Sequence, residues 1–142
     1  MKKQTQWLAF GAAAIVIIAA AYFLFFQPAV PENNPATSFI HFFYLPTCPH
    51  CHEQMDKLNP VLEQKYGIII SKHDTSQGTG KELFDRMVAE RGWDALVPTT
   101  LVGNEKFVGY NEEIGAQIDA AVAACVASKA CKDPVTGSAV TS

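Results

Sequence analysis

Two cysteines separated by two residues, Cys48 and Cys51, are the side chains whose type and spacing most clearly indicate chemistry. A C-x-x-C pair forms a redox-active disulfide or supplies half of a zinc site. Pro49 follows Cys48, and proline is favoured at the first position of a helix, where its missing N–H is not needed. We therefore expect Cys48 at a helix start and Cys51 one turn inside it, with both sulfurs on one face.

A helix start favours the thiolate form of Cys48. The N–H groups of the first turn have no partner within the helix, and the helix dipole places partial positive charge there. His50, between the two cysteines, adds a positive charge when it is protonated. A stabilised thiolate stabilises the reduced pair, and the disulfide is then a stronger oxidant. The Pro49-His50 dipeptide is therefore expected to set the direction of electron transfer.

Cys125 and Cys131 form a second close pair, with the spacing C-x5-C. Four cysteines allow three connectivities, and the two short spacings favour two local pairs. We interpret Cys125–Cys131 as a structural disulfide, because Cys125 falls on the apolar stripe of a predicted helix and nothing nearby activates either sulfur. The alternative is a second redox couple that relays electrons to a membrane partner.

Hydrophobic periodicity and turn residues predict an α/β domain with the element order β-α-β-α-β-β-α. The predicted elements are a strand over 39–45, a helix from 48 with a kink or early end at Pro60, a strand over 67–70 that can extend to Lys72, a helix over 81–91, strands over 99–102 and 106–108, and a helix capped by Asn111.

The N-terminal segment predicts a membrane anchor. Residues 7–26 are 20 consecutive uncharged positions, long enough as a helix to cross a hydrocarbon core of roughly 30 Å. Lys2 and Lys3 precede the segment, and no basic residue follows it before Lys57, so the N-terminus is expected in the cytoplasm. A cleaved signal peptide, with Ala19 and Ala21 at the cleavage site, is the alternative. Both interpretations export the domain to the periplasm or the cell exterior.

This predicts four segments: a cytoplasmic stub with a single-span anchor over 1–26, a proline-rich linker over 27–37, a domain over 38–131 and a flexible tail over 132–142. All four cysteines lie in the exported part, where disulfides persist. The net charge of −3 and the absence of a basic cluster in the domain argue against a nucleic-acid-binding protein.

Two motifs in this order resemble the thioredoxin superfamily. The run from Phe42 to Cys51 resembles the active-site strand and helix start, and Cys48-Pro49-His50-Cys51 is similar to the motif of Dsb-type periplasmic oxidases. Val97-Pro98-Thr99 is similar to the cis-proline loop of the family. The resemblance covers roughly residues 38–128, and the compact size is closer to a glutaredoxin-type domain. It implies a thioredoxin-like fold, with a four-stranded mixed sheet and three flanking helices.

The resemblance also implies roles for individual residues. Cys48 would be the exposed nucleophile, Cys51 the buried resolving thiol, and Pro98, in the cis form, would lie against the pair. Val97 would offer backbone hydrogen bonds to an extended substrate segment. The sequence departs from the family at Phe42, where many thioredoxins have a buried acid. The proton acceptor of Cys51 is therefore open, with Glu53 or water as candidates.

The function expected from the resemblance is thiol–disulfide exchange on cysteine-containing proteins, with disulfide donation preferred and no cofactor besides the Cys48–Cys51 disulfide. A quinone-linked membrane oxidase would be the redox partner. One alternative is a membrane-tethered reductase that uses the same residues. Another is a non-catalytic metal-handling module, in which histidines complete a Cys48–Cys51 half-site. Pro49 and the Val97-Pro98 motif argue against that module, so we predict no metal site. The candidate ligands for it are His41, His50, His52 and His73.

Overall fold

A computed structural model describes residues 38–140 of the chain. The predicted anchor over 1–26 and linker over 27–37 lie outside the described residues. Within residues 38–140, none of the helices combines the length and the apolar character that spanning a membrane requires.

Four strands form one mixed sheet, as predicted. Its strands are β1 (Ile40–Tyr44), β2 (Ser71–Asp74), β3 (Thr99–Val102) and β4 (Glu105–Val108). They lie side by side in the order β2-β1-β3-β4. Strand β1 is parallel to β2 and antiparallel to β3, and β3 is antiparallel to β4. Together with the element order, this sheet fits a thioredoxin-like α/β fold.

The helices differ from prediction at their ends. They are α1 (Pro49–Lys57), α2 (Asn59–Tyr66), α3 (Gly78–Arg91) and α4 (Glu112–Ser128). The first predicted helix is divided at Leu58, and Pro60 lies in the first turn of α2, so there are four helical segments instead of three. Helix α3 begins at Gly78 and not at Lys81. The first turn of α3 packs closely on the end of β2, and a Cβ atom on Gly80 would lie 2.3 Å from the Asp74 carbonyl oxygen.

The second strand also begins later than the predicted start at Gly67, although the predicted extension to Lys72 overlaps it. Gly67 ends α2 in the left-handed conformation, with φ 63°, and the apolar residues after it connect the helix to the sheet. Pairing with β1 starts only at Ser71, which lies opposite His41. The apolar run was therefore misleading: Ile70 is buried in the core, whereas Ile69 is 66% exposed.

The core lies on both faces of the sheet, because successive β1 side chains point to opposite sides. Ile40 and Phe42 face α1, α2 and α4, and pack with Leu62 and Val122. On the opposite face Phe43 packs against side chains of α3 and β3. That second cluster consists of Phe43, Phe84, Met87 and Leu101.

The segment after the last helix differs from the flexible tail that we predicted from residue 132. Lys132 pairs with Ala139 in an isolated β-bridge, and Asp133 is 1% exposed. The Asp133 carboxylate accepts the backbone N–H groups of Val135 at 2.7 Å and Thr136 at 3.1 Å. These bonds close a turn that holds residues 132–140 on the domain. A small and polar composition gave no sign of this local turn.

Candidate active site

The turn after β1 places Cys48 at the N-cap of α1. The Cys48 N–H donates to the Leu45 carbonyl at 3.1 Å, which closes the turn, and Pro49 is in the first turn of the helix. The Cys48 Sγ atom accepts the Cys51 backbone N–H at 3.3 Å. That N–H is one of the donors that a helix leaves unpaired at its start, so the geometry favours negative charge on the Cys48 sulfur.

The two thiols differ in their exposure to solvent. Both are free, but Cys48 is partly exposed whereas Cys51 is 0% exposed. Burial raises the pKa of the Cys51 thiol to about 12, and its hydrogen bond with Cys48 acts in the same direction. Cys51 therefore stays protonated at neutral pH, while Cys48 can be reached from outside. Of the two sulfurs, Cys48 is therefore the accessible one and Cys51 the one that is held protonated.

The loop that contains Val97 and Pro98 packs beside Cys48. The Val97–Pro98 peptide bond is cis, Pro98 is buried, and the Cys48 Sγ lies 4.0 Å from the Val97 carbonyl oxygen. Two hydrogen bonds hold the loop. The Gly109 N–H donates to the Pro98 carbonyl at 2.8 Å, and the Thr99 hydroxyl donates to the Leu96 carbonyl at 2.7 Å.

The Val97 backbone is available to another chain. No residue between 38 and 140 accepts its N–H, and its carbonyl meets only the Cys48 thiol. Leu96, the preceding residue, is 52% exposed, although it is a large apolar side chain. An unpaired N–H beside a carbonyl that only a thiol contacts leaves both groups able to take part in strand addition.

His50 and Glu53 lie on the solvent side of α1. The His50 Nδ1 is 3.9 Å from the Glu53 carboxylate, and the His50 side chain is 69% exposed. Glu53 accepts the Lys57 ammonium at 2.8 Å, and this hydrogen bond lowers the pKa of the Glu53 carboxyl. Exposure and this pairing make Glu53 a poor proton acceptor for the buried Cys51. The role of His50 in tuning the thiolate stays a prediction.

Two of the four histidines proposed as additional metal ligands, His41 and His73, lie apart from the cysteine pair. His41 and His73 lie on the face of the sheet opposite Cys51, where His73 stacks on Phe43. His52 contacts the Pro46 carbonyl through its Nε2. In the part of the chain that the structure describes, no three His, Cys, Asp or Glu side chains are grouped as metal ligands would be.

His41 takes part in a buried network that the sequence did not predict. Its Nδ1 lies 2.9 Å from the His73 Nε2, and its Nε2 lies 3.0 Å from the Ser38 carbonyl and 3.3 Å from the Asp133 carboxylate. These contacts are all satisfied when His73 donates to His41 and His41 donates to Ser38 and Asp133. These contacts give His41 a structural role.

A second buried polar cluster, which the sequence did not predict either, lies where α1 packs on β3, one turn after Cys51. Gln54 and Cys51 are the two buried residues of α1, and Gln54 is 0% exposed. The Gln54 Nε2 donates to the Thr100 hydroxyl at 2.7 Å and lies 3.5 Å from the Asn59 Oδ1. The spacing i, i+3 from Cys51 is the sequence signal that could have indicated this buried position.

Cys125 and Cys131 form a disulfide at the other end of the sheet. A Cβ atom on Gly103 would lie 3.3 Å from the Cys131 sulfur, and the Gly103 N–H donates to the Phe39 carbonyl just before β1. Cys48 follows the opposite end of β1. Six residue-to-residue steps of nearly extended chain, from Phe39 to Leu45, therefore separate the two ends, a distance of roughly 20 Å. The two cysteine pairs do not exchange directly in this arrangement.

No protein-family model and no curated protein matches this chain. Three crystal structures of glutaredoxins are similar to it. That of Archaeoglobus fulgidus is 23% identical, covering 54% of this chain and 79% of its own, with a TM-score of 0.40. The buckwheat glutaredoxin–glutathione complex has 14% identity, coverages of 63% and 76%, and a TM-score of 0.43. Holo glutaredoxin C1 of Populus tremula x tremuloides has 14% identity, coverages of 70% and 86%, and a TM-score of 0.46. At these sequence identities and TM-scores, the similarity to glutaredoxins does not assign an activity to this chain.

Proposed function

We propose that this chain is a thiol–disulfide oxidoreductase that acts on protein cysteines and donates disulfides outside the cytoplasm. The observation that carries the proposal is the pairing of a partly exposed Cys48, at a helix N-cap, with a buried Cys51 one turn away. The hydrogen bond from the Cys51 N–H to the Cys48 sulfur supports it.

The reaction consists of two exchanges. A substrate thiolate attacks the Cys48 sulfur of the Cys48–Cys51 disulfide; the bond between the two sulfurs breaks, and Cys51 leaves and takes up a proton. A second substrate thiolate then attacks the substrate sulfur of this mixed disulfide, and Cys48 leaves as a thiolate. The substrate loses two electrons and gains a disulfide, while the Cys48–Cys51 pair becomes a dithiol. The helix N-terminus stabilises the leaving Cys48 thiolate, which favours this direction.

The substrate would bind as an extended segment along Val97. The Val97 N–H is free and the Val97 carbonyl contacts only the Cys48 thiol, so both can pair with the substrate backbone, and the exposed Leu96 offers apolar contact beside them. Backbone pairing does not depend on the substrate's side chains, so it suits an enzyme that oxidises many different proteins.

The place in the cell and the redox partner belong to the same proposal. The uncharged segment over 7–26 and the lysines before it support export of the domain on a membrane anchor. A membrane oxidase would then reoxidise Cys48 and Cys51, and the enzyme needs no cofactor besides this pair.

The test is oxidation of a reduced, unfolded protein by the full-length chain, followed by mass analysis of the thiols. Cys48→Ser should abolish turnover. Cys51→Ser, incubated with the disulfide-containing form of the same protein, should accumulate mixed disulfides, because the Cys48 thiolate attacks a substrate disulfide, releases one substrate thiolate, and finds no Cys51 to resolve the product. The matched control replaces Cys125 and Cys131 by serine and should retain turnover. Activity that survives Cys48→Ser would refute the proposal.

A further inference from the structure

Gln54 is the polar side chain nearest in sequence to Cys51 on the buried face of α1. Residues three apart on a helix are neighbours, with their Cβ atoms roughly 5–6 Å apart. Both side chains are 0% exposed, and both face the sheet. A glutamine in such a place needs partners for its two donors and its acceptor.

The hydrogen bonds of Gln54 are incomplete. Its Nε2 reaches the Thr100 hydroxyl and the Asn59 Oδ1, but within residues 38–140 neither the Gln54 Oε1 nor the Asn59 Nδ2 has a partner. Exchanging the nitrogen and oxygen of both amides keeps their mutual contact and again leaves one atom of each unpaired. Buried polar atoms are nearly always paired, with protein or with an ordered water. The two atoms together offer one acceptor and one donor to a water.

We propose that Gln54 and Asn59 hold a water molecule that accepts the proton of Cys51 when Cys51 acts as a nucleophile. Gln54 is then a positioning residue, since it acts through the water. This inference rests on the proposed function. The water held by Gln54 and Asn59 is the group that carries the proton away from the Cys51 thiol.

The place of the cluster suits this role. Thr100 lies opposite Phe42 on the neighbouring strand, so its side chain is on the Cys51 face of the sheet. Phe42 is fully buried and carries no proton acceptor. The Glu53 carboxylate is on the solvent side of α1, paired with Lys57. The high pKa of the Cys51 thiol means that its proton must be taken away during attack.

The proton transfer belongs to the step in which Cys51 resolves a mixed disulfide between Cys48 and the substrate. The Cys51 sulfur attacks the Cys48 sulfur, the bond from Cys48 to the substrate sulfur breaks, and the substrate leaves as a thiolate with the electron pair. The Cys51 proton passes to the water, which donates a hydrogen bond to the Gln54 Oε1, and from the water to the leaving thiolate or to solvent. Cys48 and Cys51 end as a disulfide, and the substrate as a thiol.

The test is stopped-flow reaction of the reduced full-length chain with a nitrobenzoate disulfide, whose released thiolate is coloured. The first release reports attack by Cys48, and the second reports attack by Cys51. We expect Gln54→Met to slow the second release by roughly tenfold or more at neutral pH and to leave the first unchanged. The difference should close at high pH, where hydroxide removes the Cys51 proton. Gln54→Glu should restore the second release, because a carboxylate oxygen replaces the amide acceptor.

Two further variants separate this role from a loss of packing. Thr100→Val removes the hydroxyl that fixes the Gln54 amide and should also slow only the second release. Ile118→Val trims the same core cluster without touching a polar atom and should change neither release. Equal second-release rates for Gln54→Met and the unaltered chain, or equal slowing of both releases, would overturn the inference.

The two proposals fail in different ways. If the unaltered chain gives both coloured releases but forms no disulfide in a reduced protein, the proposed function is wrong. The effect of Gln54→Met on the second release is still measured in that case.

Discussion

The Sγ atom of Cys48 accepts the backbone N–H of Cys51 at 3.3 Å. This contact joins the two cysteines before any disulfide forms between them, and it places the more exposed sulfur at the positive end of α1. The stability of the Cys48 thiolate decides how strongly the disulfide oxidises, since it stabilises the reduced form alone. The residues between the cysteines should therefore adjust the reduction potential.

His50→Gln should make the Cys48–Cys51 disulfide a weaker oxidant, because it removes the one side chain between the two cysteines that can carry a positive charge. A tenfold change in the equilibrium constant corresponds to about 30 mV for this two-electron couple, and a shift of this order toward more negative values is expected. Equilibration with glutathione buffers measures it. His52→Gln, the same change outside the C-x-x-C motif, is the control. Equal shifts in both variants would exclude a specific role for His50.

Leu96→Ser should weaken the binding of protein substrates without changing the reaction with a small aromatic disulfide. Leu96 is 52% exposed beside the free backbone of Val97, and burying a leucine against a partner contributes about 1.5–3 kcal/mol. We expect KM for a reduced protein to rise by roughly tenfold, with little change in kcat. Val126→Ser removes another exposed apolar side chain, on α4, and should leave KM as it is. A KM that does not respond to Leu96→Ser would remove Leu96 from the substrate surface.

The domain should lose stability as the pH falls from about 6.5 toward 4. Burial lowers the pKa of His41, and burial together with the neighbouring His41 lowers the pKa of His73 to about 4. Between the folded and unfolded pKa values the unfolded chain binds more protons, so stability is complete above the unfolded value and declines below it. Urea denaturation at several pH values measures this decline.

His73→Gln provides the comparison for the pH effect. It removes the group with the larger described shift, so the stability of the variant should depend less on pH between 6.5 and 4 than that of the unaltered chain. Replacement of the exposed His52 by Gln should not flatten the curve. A pH dependence that is unchanged in His73→Gln would show that other groups cause it.

Replacing Cys125 and Cys131 by serine should destabilise the domain and leave the chemistry of Cys48 unchanged. The cysteines are six residues apart, and the chain-entropy model gives about 2 kcal/mol for so short a loop. The free energy of unfolding measures the first effect, and the rate of Cys48 with a small disulfide measures the second. If the disulfide is a redox relay, as the alternative interpretation holds, reoxidation by a membrane partner should stop in this variant.

The sequence predicted the parts of the site that have local causes. A proline directly after Cys48 determines where α1 begins, so the positions of Cys48 and Cys51 followed from a rule about one helical turn. Pro60 interrupts the helix for an equally local reason. The strand before the site and the hairpin of β3 and β4 followed from runs of aromatic and β-branched residues around turn residues.

The sequence did not reveal contacts between residues that are distant along the chain. Asp133 meets His41 only because residues 132–140 fold back, and Gln54 meets Thr100 only because α1 packs on β3. The second strand was placed too early, because Ile68 and Ile69 read as a strand whereas pairing with β1 begins at Ser71. In each case tertiary packing determines which residues meet or pair, and the hydrophobic periodicity of a single segment does not contain that information.

The reduction potential of Cys48–Cys51 in the full chain, with Cys125 and Cys131 left paired, tests the proposed disulfide donor most directly. Equilibration with defined ratios of reduced and oxidised glutathione, followed by thiol alkylation and mass analysis, gives the value. A potential of about −120 to −180 mV is predicted, in the range of proteins that donate disulfides. A potential near or below about −270 mV would contradict the proposal and identify a reductase that takes electrons from a donor.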